Sequence, residues 1–476
     1  MVHGLQEYKF CKKLKMNKVI WFLLLLPFKV LSQNETNPPN VILILVDDLG
    51  IKDLGNYGNK LIETPNIDAL AKKGMSWINA YSSCPVCSPS RAAMLTGKSP
   101  ARLNFTGHIT AIEKHRYPAN STIIPPQDLM YVPLDQIMIP EMLKVKGYTS
   151  ASIGKWHLGN KGFWPTDQGF DVNIAGWTHG SPPSHFFPYK NTSSSWNSSI
   201  QNLVGGREGE YLTDRLTDET ISFIRQQKDK PFFAYLSYYA VHVPLEAPQE
   251  KIEKYKVKLL DSKINPTYAA MVESVDDNVG KLVKFLESNN LIKNTVIILA
   301  SDNGGLEEVT DNYPYRRGKG HLYEAGIRVP LIMRWDDKIK PNTWTENRTI
   351  STDLFYTIKD ISGQKGMIDM DGRSLLPDFD LKNQSNKERK LFWYYPHYGI
   401  GGDPGSIIIS GNYKLIEHYD PYKVELFNLD TDRSENHDLA SSFPQIKNEL
   451  LEELHNWLKS SNPIMHTQNT SNKSVK

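Results

Sequence analysis

The chain has 476 residues, with 55 Lys and Arg against 53 Asp and Glu, for a formal charge of +2. A length of this order exceeds one small domain and can bury a large core, so one big domain with a smaller companion is the natural arrangement. The near-neutral balance, with no Lys/Arg block in the body of the chain, argues against a nucleic-acid binder and against a polybasic membrane patch.

The N-terminus carries a basic patch, Lys12-Lys13-Leu14-Lys15-Met16-Asn17-Lys18, then an apolar run from Val19 to Leu26, then Val30-Leu31-Ser32 before polar Gln33-Asn34-Glu35. This is the three-part pattern of a secretory signal peptide, too short to span a membrane comfortably. Residues 1–32 are read as that leader, with Met16 a second candidate for the start because Met16 to Ser32 is already complete. No membrane anchor is expected once the leader is removed. Cys84 and Cys87 are then the only cysteines left, in one short loop, so the exported chain is held by its core rather than by disulfides. That fits a bacterial periplasmic or secreted enzyme better than an animal lysosomal one.

Asn40 to Val46 is an apolar run without alternation, bounded by Pro38-Pro39 and by Asp47-Asp48-Leu49-Gly50, which suits a central strand covered on both faces. Thr64 as N-cap, Pro65 at the first position and Gly74 at the end outline a helix. In Cys87-Ser88-Pro89-Ser90-Arg91, Pro89 suits a first turn, Ala92 to Leu95 continues it and Gly97 is placed to end it. Cys87 then stands where unpaired N–H groups and the helix dipole favour an anion. Further strands are expected at Thr149 to Ile153, Phe232 to Tyr238, Thr295 to Ala300 and Val329 to Met333. Met271, Val275, Leu282, Val283 and Leu286 stripe another helix. Strands alternating with helices predict an α/β fold with a large, mostly parallel sheet between helices, and the chemistry of such sheets gathers beyond the carboxyl ends of the strands.

The composition turns polar between Pro377 and Lys390, and the domain boundary is placed there, giving 33–385 as the catalytic domain and 386–462 as a smaller α+β domain. Its strands are expected at Leu391 to Tyr395, Ser406 to Ser410, Tyr413 to Glu417 and Lys423 to Phe427. A last helix, capped by Ser442 with Gln445 three residues on, carries Ile446, Leu450, Leu454, Trp457 and Leu458 on one stripe. The tail, 463–476, is expected to be disordered.

The polar motifs fall just after the predicted strands. Asp47-Asp48 would repel unless a cation or a proton sits between them. Asp302-Asn303, before Gly304-Gly305, adds oxygen ligands at an equivalent strand end, and an all-oxygen set favours calcium or magnesium over zinc. Either dipeptide alone also reads as turn chemistry. Arg91 lies one helical turn after Cys87 on the same face. Gly154-Lys155-Trp156-His157-Leu158-Gly159 would put a cation and an imidazole on one side of an extended segment. His242 follows the 232–238 strand, and Lys319 sits in Arg317-Gly318-Lys319-Gly320. Cys84-Pro85-Val86-Cys87 also matches Cys-x-x-Cys, but Pro89 and Arg91 have no role in redox chemistry and the expected βαβ context is missing.

The Cys-x-Pro-Ser-Arg string with Leu95-Thr96-Gly97, the Gly154 to Gly159 hexapeptide and the segments around His242 and Lys319 resemble the type I sulfatases of the alkaline phosphatase superfamily. The resemblance runs from Pro39 to the C-terminal helix and is nearest to exported bacterial polysaccharide sulfatases. It implies that a formylglycine-generating enzyme oxidises Cys87 to Cα-formylglycine (3-oxoalanine), and that Asp47, Asp48, Asp302 and Asn303, together with the modified Cys87 itself, bind one calcium ion. By the resemblance, Arg91 holds the hydrate, Lys155 contacts hydrate and sulfate, and His242 and Lys319 clamp the sulfate. The hydrate would attack sulfur to give a sulfate hemiacetal, which His157 collapses. Either His242 or Lys319 would protonate the leaving oxygen. A sulfated glycan of carrageenan, ulvan or glycosaminoglycan type is the expected substrate, with His179, His185 and His397 in sugar-contacting loops. The alternatives are a phosphomonoester or phosphonate hydrolase of the same superfamily and a glycan-binding protein without turnover.

Overall fold

Asn40–Val46 (β1) is buried at every residue, as an uninterrupted apolar run must be when both faces of its sheet are covered. The computed structural model describes residues 38–470 except 110–116, 128, 194–197, 228–229, 367–368, 370, 381–387 and 400. The leader assigned to 1–32 and the boundary placed at 385/386 lie outside the described residues. Seven more strands complete the sheet: Met75–Trp77 (β2), Thr149–Gly154 (β3), Val172–Ile174 (β4), Phe232–Ser237 (β5), Thr295–Ser301 (β6), Leu331–Arg334 (β7) and Thr343–Thr345 (β8). Their order is β8-β2-β7-β6-β1-β5-β3-β4. Strands β6, β1, β5, β3 and β4 run parallel, and β7 is antiparallel to both its neighbours. This is the large, mostly parallel sheet expected from the sequence.

Alternate residues of β1 feed two cores. Ile42, Ile44 and Val46 pack with Ile67 and Leu70 of Pro65–Lys72 (α1), Leu216 and Ile224 of Leu212–Gln226 (α3) and Met271, Val275 and Leu282 of Pro266–Ser288 (α4). Val41, Leu43 and Leu45 pack with Met94 and Leu95 of Cys87–Thr96 (α2) and with Phe355 and Ile358 of Asp353–Ile361 (α5). Pro266 opens α4, and the Asn265 side chain accepts from Thr267 N at 2.8 Å, a cap of the usual kind. Thr64 precedes α1 but does not cap it through its hydroxyl, which instead accepts from Gly55 N at 2.8 Å and bonds Asp68.

Leu391–Tyr395 (β9), Gly405–Ser410 (β10), Tyr413–Tyr419 (β11) and Tyr422–Asn428 (β12) form an antiparallel sheet in chain order. One face, with Trp393, Ile407, Ile416 and Phe427, packs on Tyr81, Val86, Leu322 and Ile327 beside the Cys87 loop. The other, with Ile408, Leu415 and Leu426, is covered by Leu450, Leu454 and Leu458 of Pro444–Ser461 (α6). The expected Ser442 cap is not made: Pro444 takes the first position and Phe443 the cap. Of the tail expected to be disordered, residues 463–470 are described and paired, and 471–476 lie outside the described residues. Thr467–Gln468 pairs with Ile123–Ile124, Ile464 N donates to Asn104 Oδ1 at 2.6 Å and Asn469 donates to Ser121 O. These are polar, mostly main-chain contacts, which leave no hydropathy signal. Among the described residues no helix is long and apolar enough to cross a membrane.

Candidate active site

Strand register decides what meets at the sheet's carboxyl edge. Val46 lies opposite Ser301, Leu45 opposite Ser237 and Gly154 opposite Ser237. Asp47-Asp48, Asp302-Asn303, Lys155 and the 238–242 segment therefore emerge side by side. Two of the turns need left-handed backbone at non-glycine residues, Asp48 (φ 59°) and His157 (φ 61°). Such conformations cost about 1 kcal/mol each and persist where the surroundings hold them. Lys155 and His157 thus face the site through a turn begun at Gly154 (φ 102°), not through the strand alternation read from the sequence.

The floor beneath Cys87 is a buried charge cluster. Lys155 Nζ is 2.6 Å from Asp47 Oδ2, Lys319 Nζ 2.7 Å from Asp48 Oδ2 and Arg91 Nε 2.7 Å from Asp302 Oδ2. Arg91 also donates to Ser237 Oγ (2.6 Å) and to Lys155 O (3.2 Å), so its head is committed to the carboxylate floor. Asn303 Nδ2 donates to Asp48 Oδ1 at 2.8 Å. Asp47 Oδ1 and Asn303 Oδ1 are buried and accept no hydrogen bond among the described residues, and Arg91 Nη2 stops 3.5 Å from Asp47 Oδ1. Burial, aided by Asp302 and Asp48, pushes the Asp47 carboxyl well above its usual range despite Lys155 and Arg91. A buried acceptor left unmade costs about 1–3 kcal/mol. Orphaned hard oxygens beside clustered carboxylates are what a calcium ion satisfies, and the donor set fits one.

Cys87 opens α2, whose ten residues are all buried and whose end is closed by Gly97 (φ 70°) donating to Ala93 O. Its ligating atom lies within 4.8 Å of Asp47 and Asp302, of Asp48 and His242, and of His108 and His157. Burial opposes ionisation of the thiol, but Lys155, Lys319 and a hydrogen bond from His108 together hold it well below its ordinary value. Cys84 lacks those cations, and burial drives its thiol up. His157 Nε2 is 2.9 Å from Ile109 O, and Ser88 Oγ is 3.3 Å from His157 Nδ1. Gly180 packs flat on this imidazole, where an added Cβ would stand 2.3 Å from Cε1. His242 Nε2 is 3.6 Å from Asp48 Oδ2 and its Nδ1 is 2.8 Å from Val243 O. Burial and Lys319 depress its imidazole to about 3, while Asp48 and Cys87 raise Lys319 against burial.

Sequence reasoning missed His108, which is half-buried, packs edge-on to His157 at 4.8 Å and reaches Cys87. It belongs to no periodic element, and only its nearness in the chain to the Cys87 helix could have signalled it. Of the three histidines assigned to sugar, His179 is half-buried against Trp177. His185 is fully buried, and its Nε2 donates to His242 O at 3.2 Å, which corrects its assignment as a sugar contact: it braces the His242 turn. His397 is also buried, hydrogen-bonded to Thr106 at 2.8 Å in the loop that leads to His108.

Residues 39–363 match the Sulfatase family. The chain belongs to the sulfatase family. Residues 317–462 of this sulfatase match the family described as N-sulphoglucosamine sulphohydrolase, C-terminal. It is 32% identical to a sulfatase of Formosa agariphila over 90% of each chain, and 34% identical to the N-acetylgalactosamine-6-sulfatase of Mus musculus over 78% of this chain and 72% of that one. The crystal structure of Ps i-CgsB in complex with k-i-k-neocarrahexaose superposes with a TM-score of 0.77 at 31% identity, covering 92% of this chain and 96% of that one. The sulfatase is accordingly a sulfuric ester hydrolase.

Proposed function

We propose that this sulfatase removes sulfate from a sulfated polysaccharide or its oligosaccharides, of carrageenan, ulvan or glycosaminoglycan type. It does so after export by its leader and after a formylglycine-generating enzyme has oxidised Cys87. The observation that carries the reading is the pair of orphaned buried oxygens, Asp47 Oδ1 and Asn303 Oδ1, beside a cysteine at a helix N-terminus. Asp47, Asp48, Asp302 and Asn303 would hold the calcium ion, which supplies positive charge to the sulfate oxygens, while formylglycine at position 87 supplies the nucleophilic oxygen.

The protein's own groups do the rest. Lys155 and Lys319, each anchored to one carboxylate of the floor, orient a tetrahedral anion over position 87 and balance the charge that grows on it. Each such contact is worth about 3 kcal/mol of barrier. Arg91 keeps Asp47 and Asp302 in place. His157 donates its Nε2 proton to the Ile109 carbonyl, which leaves Nδ1 as the lone pair that takes a proton when sulfate is expelled. His242 likewise spends its Nδ1 proton on the Val243 carbonyl, so neutral His242 presents an acceptor at Nε2. Lys319 is therefore assigned the proton given to the leaving oxygen. His108 and His179, both half-buried, are assigned to the sugar; the oligosaccharide bound by Ps i-CgsB supports a glycan over a small aryl ester.

The test is sulfate release from carrageenan, ulvan and glycosaminoglycan oligosaccharides, beside an aryl sulfate and an aryl phosphate, in calcium and in chelator. Calcium-dependent release from one oligosaccharide class, above the rate on the aryl sulfate, is expected. Preference for the aryl phosphate, or full activity in chelator, would contradict the reading.

A further inference from the structure

Cys87, His108 and His157 come from three separate segments: the start of α2, the loop beyond it and the turn after β3. Their ligating atoms lie within 4.8 Å of one another. We propose that, in chains whose Cys87 remains a thiol, these three side chains form a soft-metal site that takes zinc, distinct from the oxygen set on the floor. The donor chemistry separates the two. Thiolate sulfur with two imidazoles is a zinc set, whereas Asp47, Asp48, Asp302 and Asn303 offer only hard oxygen.

The surroundings suit the ion. The Ile109 carbonyl fixes the His157 proton on Nε2 and leaves Nδ1 with its lone pair, the outer hydrogen bond that metal-bound histidines ordinarily make. Lys155 and Lys319 flank the cysteine but are paired to Asp47 and Asp48, so they do not oppose a cation unbalanced. Zinc–sulfur bonds of about 2.3 Å and zinc–nitrogen bonds of about 2.0 Å draw three such donors to within about 4 Å of one another. His108, half-buried on its loop, can supply that movement, and water can fill the fourth position. Cys87 thus belongs to three alternative groups, the soft one with His108 and His157, the hard one with Asp47 and Asp302, and a mixed one with Asp48 and His242. Removing its sulfur abolishes the first and leaves the carboxylates of the second.

This inference rests on the reading of Cys87 as the modified residue only for its biological meaning: zinc would mark molecules that escaped maturation. Its test needs no turnover. Protein produced without the modifying enzyme, in saturating calcium, is titrated with cobalt and then with zinc. A sulfur-to-cobalt charge-transfer band, bleached by zinc, is expected, and zinc should slow alkylation of Cys87 at least 10-fold. Both His108→Ala and His108→Gln should weaken zinc binding at least 10-fold, while Asn303→Ala, which removes a floor oxygen without unpairing either lysine, and Cys84→Ser should leave it within 2-fold. Absence of the thiolate band with Cys87 freely alkylated would overturn the proposal. So would loss of binding in Asn303→Ala but not in the His108 variants, which would put the ion on the floor oxygens. Failed sulfate release with zinc binding intact would bring down the proposed function alone.

Discussion

Asp47, Asp48, Asp302, Arg91, Lys155 and Lys319 fill the floor under Cys87, and Glu324, Arg328, Lys414 and Glu435 fill the seam between the large sheet and the β9–β12 sheet. Both groups are almost wholly buried. In the seam each charge closes on an opposite one: Lys414 lies 2.8 Å from Glu435 and 3.1 Å from Glu324, and Arg328 lies 2.7 Å from Glu324. Tyr81 and the Glu324 main chain take up further bonds. On the floor the cations are just as near, yet Asp47 Oδ1, Asn303 Oδ1 and Arg91 Nη2 stay without a hydrogen bond, and Asp47 Oδ1 has no cation nearer than 3.5 Å; in the seam Glu435 Oε1 also lacks a hydrogen bond, but Lys414 Nζ stands 2.8 Å from it. Burial of charge is therefore not in itself the mark of a reactive site. The mark is several open atoms gathered around one cysteine at a helix N-terminus, whereas in the seam the one open oxygen is met by an ammonium and the network joins two layers.

The contrast breaks most visibly under substitution. Asp302→Asn should lower sulfate release about 10³-fold or more, because it removes a hard donor and the partner of Arg91 together. It should also lose about 3–5 kcal/mol of stability in chelator, because buried Arg91 loses its carboxylate, and calcium should no longer raise its melting temperature. Lys414→Met should leave activity and cost stability, about 3–5 kcal/mol in denaturant titrations, because buried Glu435 loses its cation while Glu324 keeps Arg328. Turnover per folded molecule should stay near the parent value. Equal damage to activity by both would erase the distinction.

Smaller changes sharpen it. Gly180→Ala forces the His157 ring aside and should lower turnover about 10–100-fold, with little change in melting temperature. At the seam's outer edge Glu425 is held at about 2: burial works against this, and hydrogen bonds from His418 and Tyr323 more than offset it. Its folded value lies below its unfolded one, so its contribution is present above about pH 4.5 and is lost as pH falls through about 2. Glu425→Gln should flatten the acid limb of the stability profile.

Much of the fold was legible because its signals are local. A seven-residue apolar run can only be a covered strand, and Pro89 with Gly97 brackets α2. The floor was legible as residue types at strand ends, since register carries such residues to one edge. What could not be read depends on contacts distant in sequence. His108 is brought to Cys87 by an irregular loop, His185 is turned inward beneath His242, and Ile464 and Asn469 are held by hydrogen bonds to Asn104 and Ser121. The left-handed turn at His157 also escaped, because a histidine gives no hint of positive φ.

The central claim is that the open floor serves a modified residue at position 87. It is tested by preparing the protein with graded amounts of a formylglycine-generating enzyme and measuring, on each batch, the mass of the Cys87 peptide and the rate of sulfate release. The rate should rise in proportion to the fraction of peptide bearing aldehyde in place of thiol and pass through zero where none does. Full activity in a batch whose Cys87 is wholly unmodified would contradict the account.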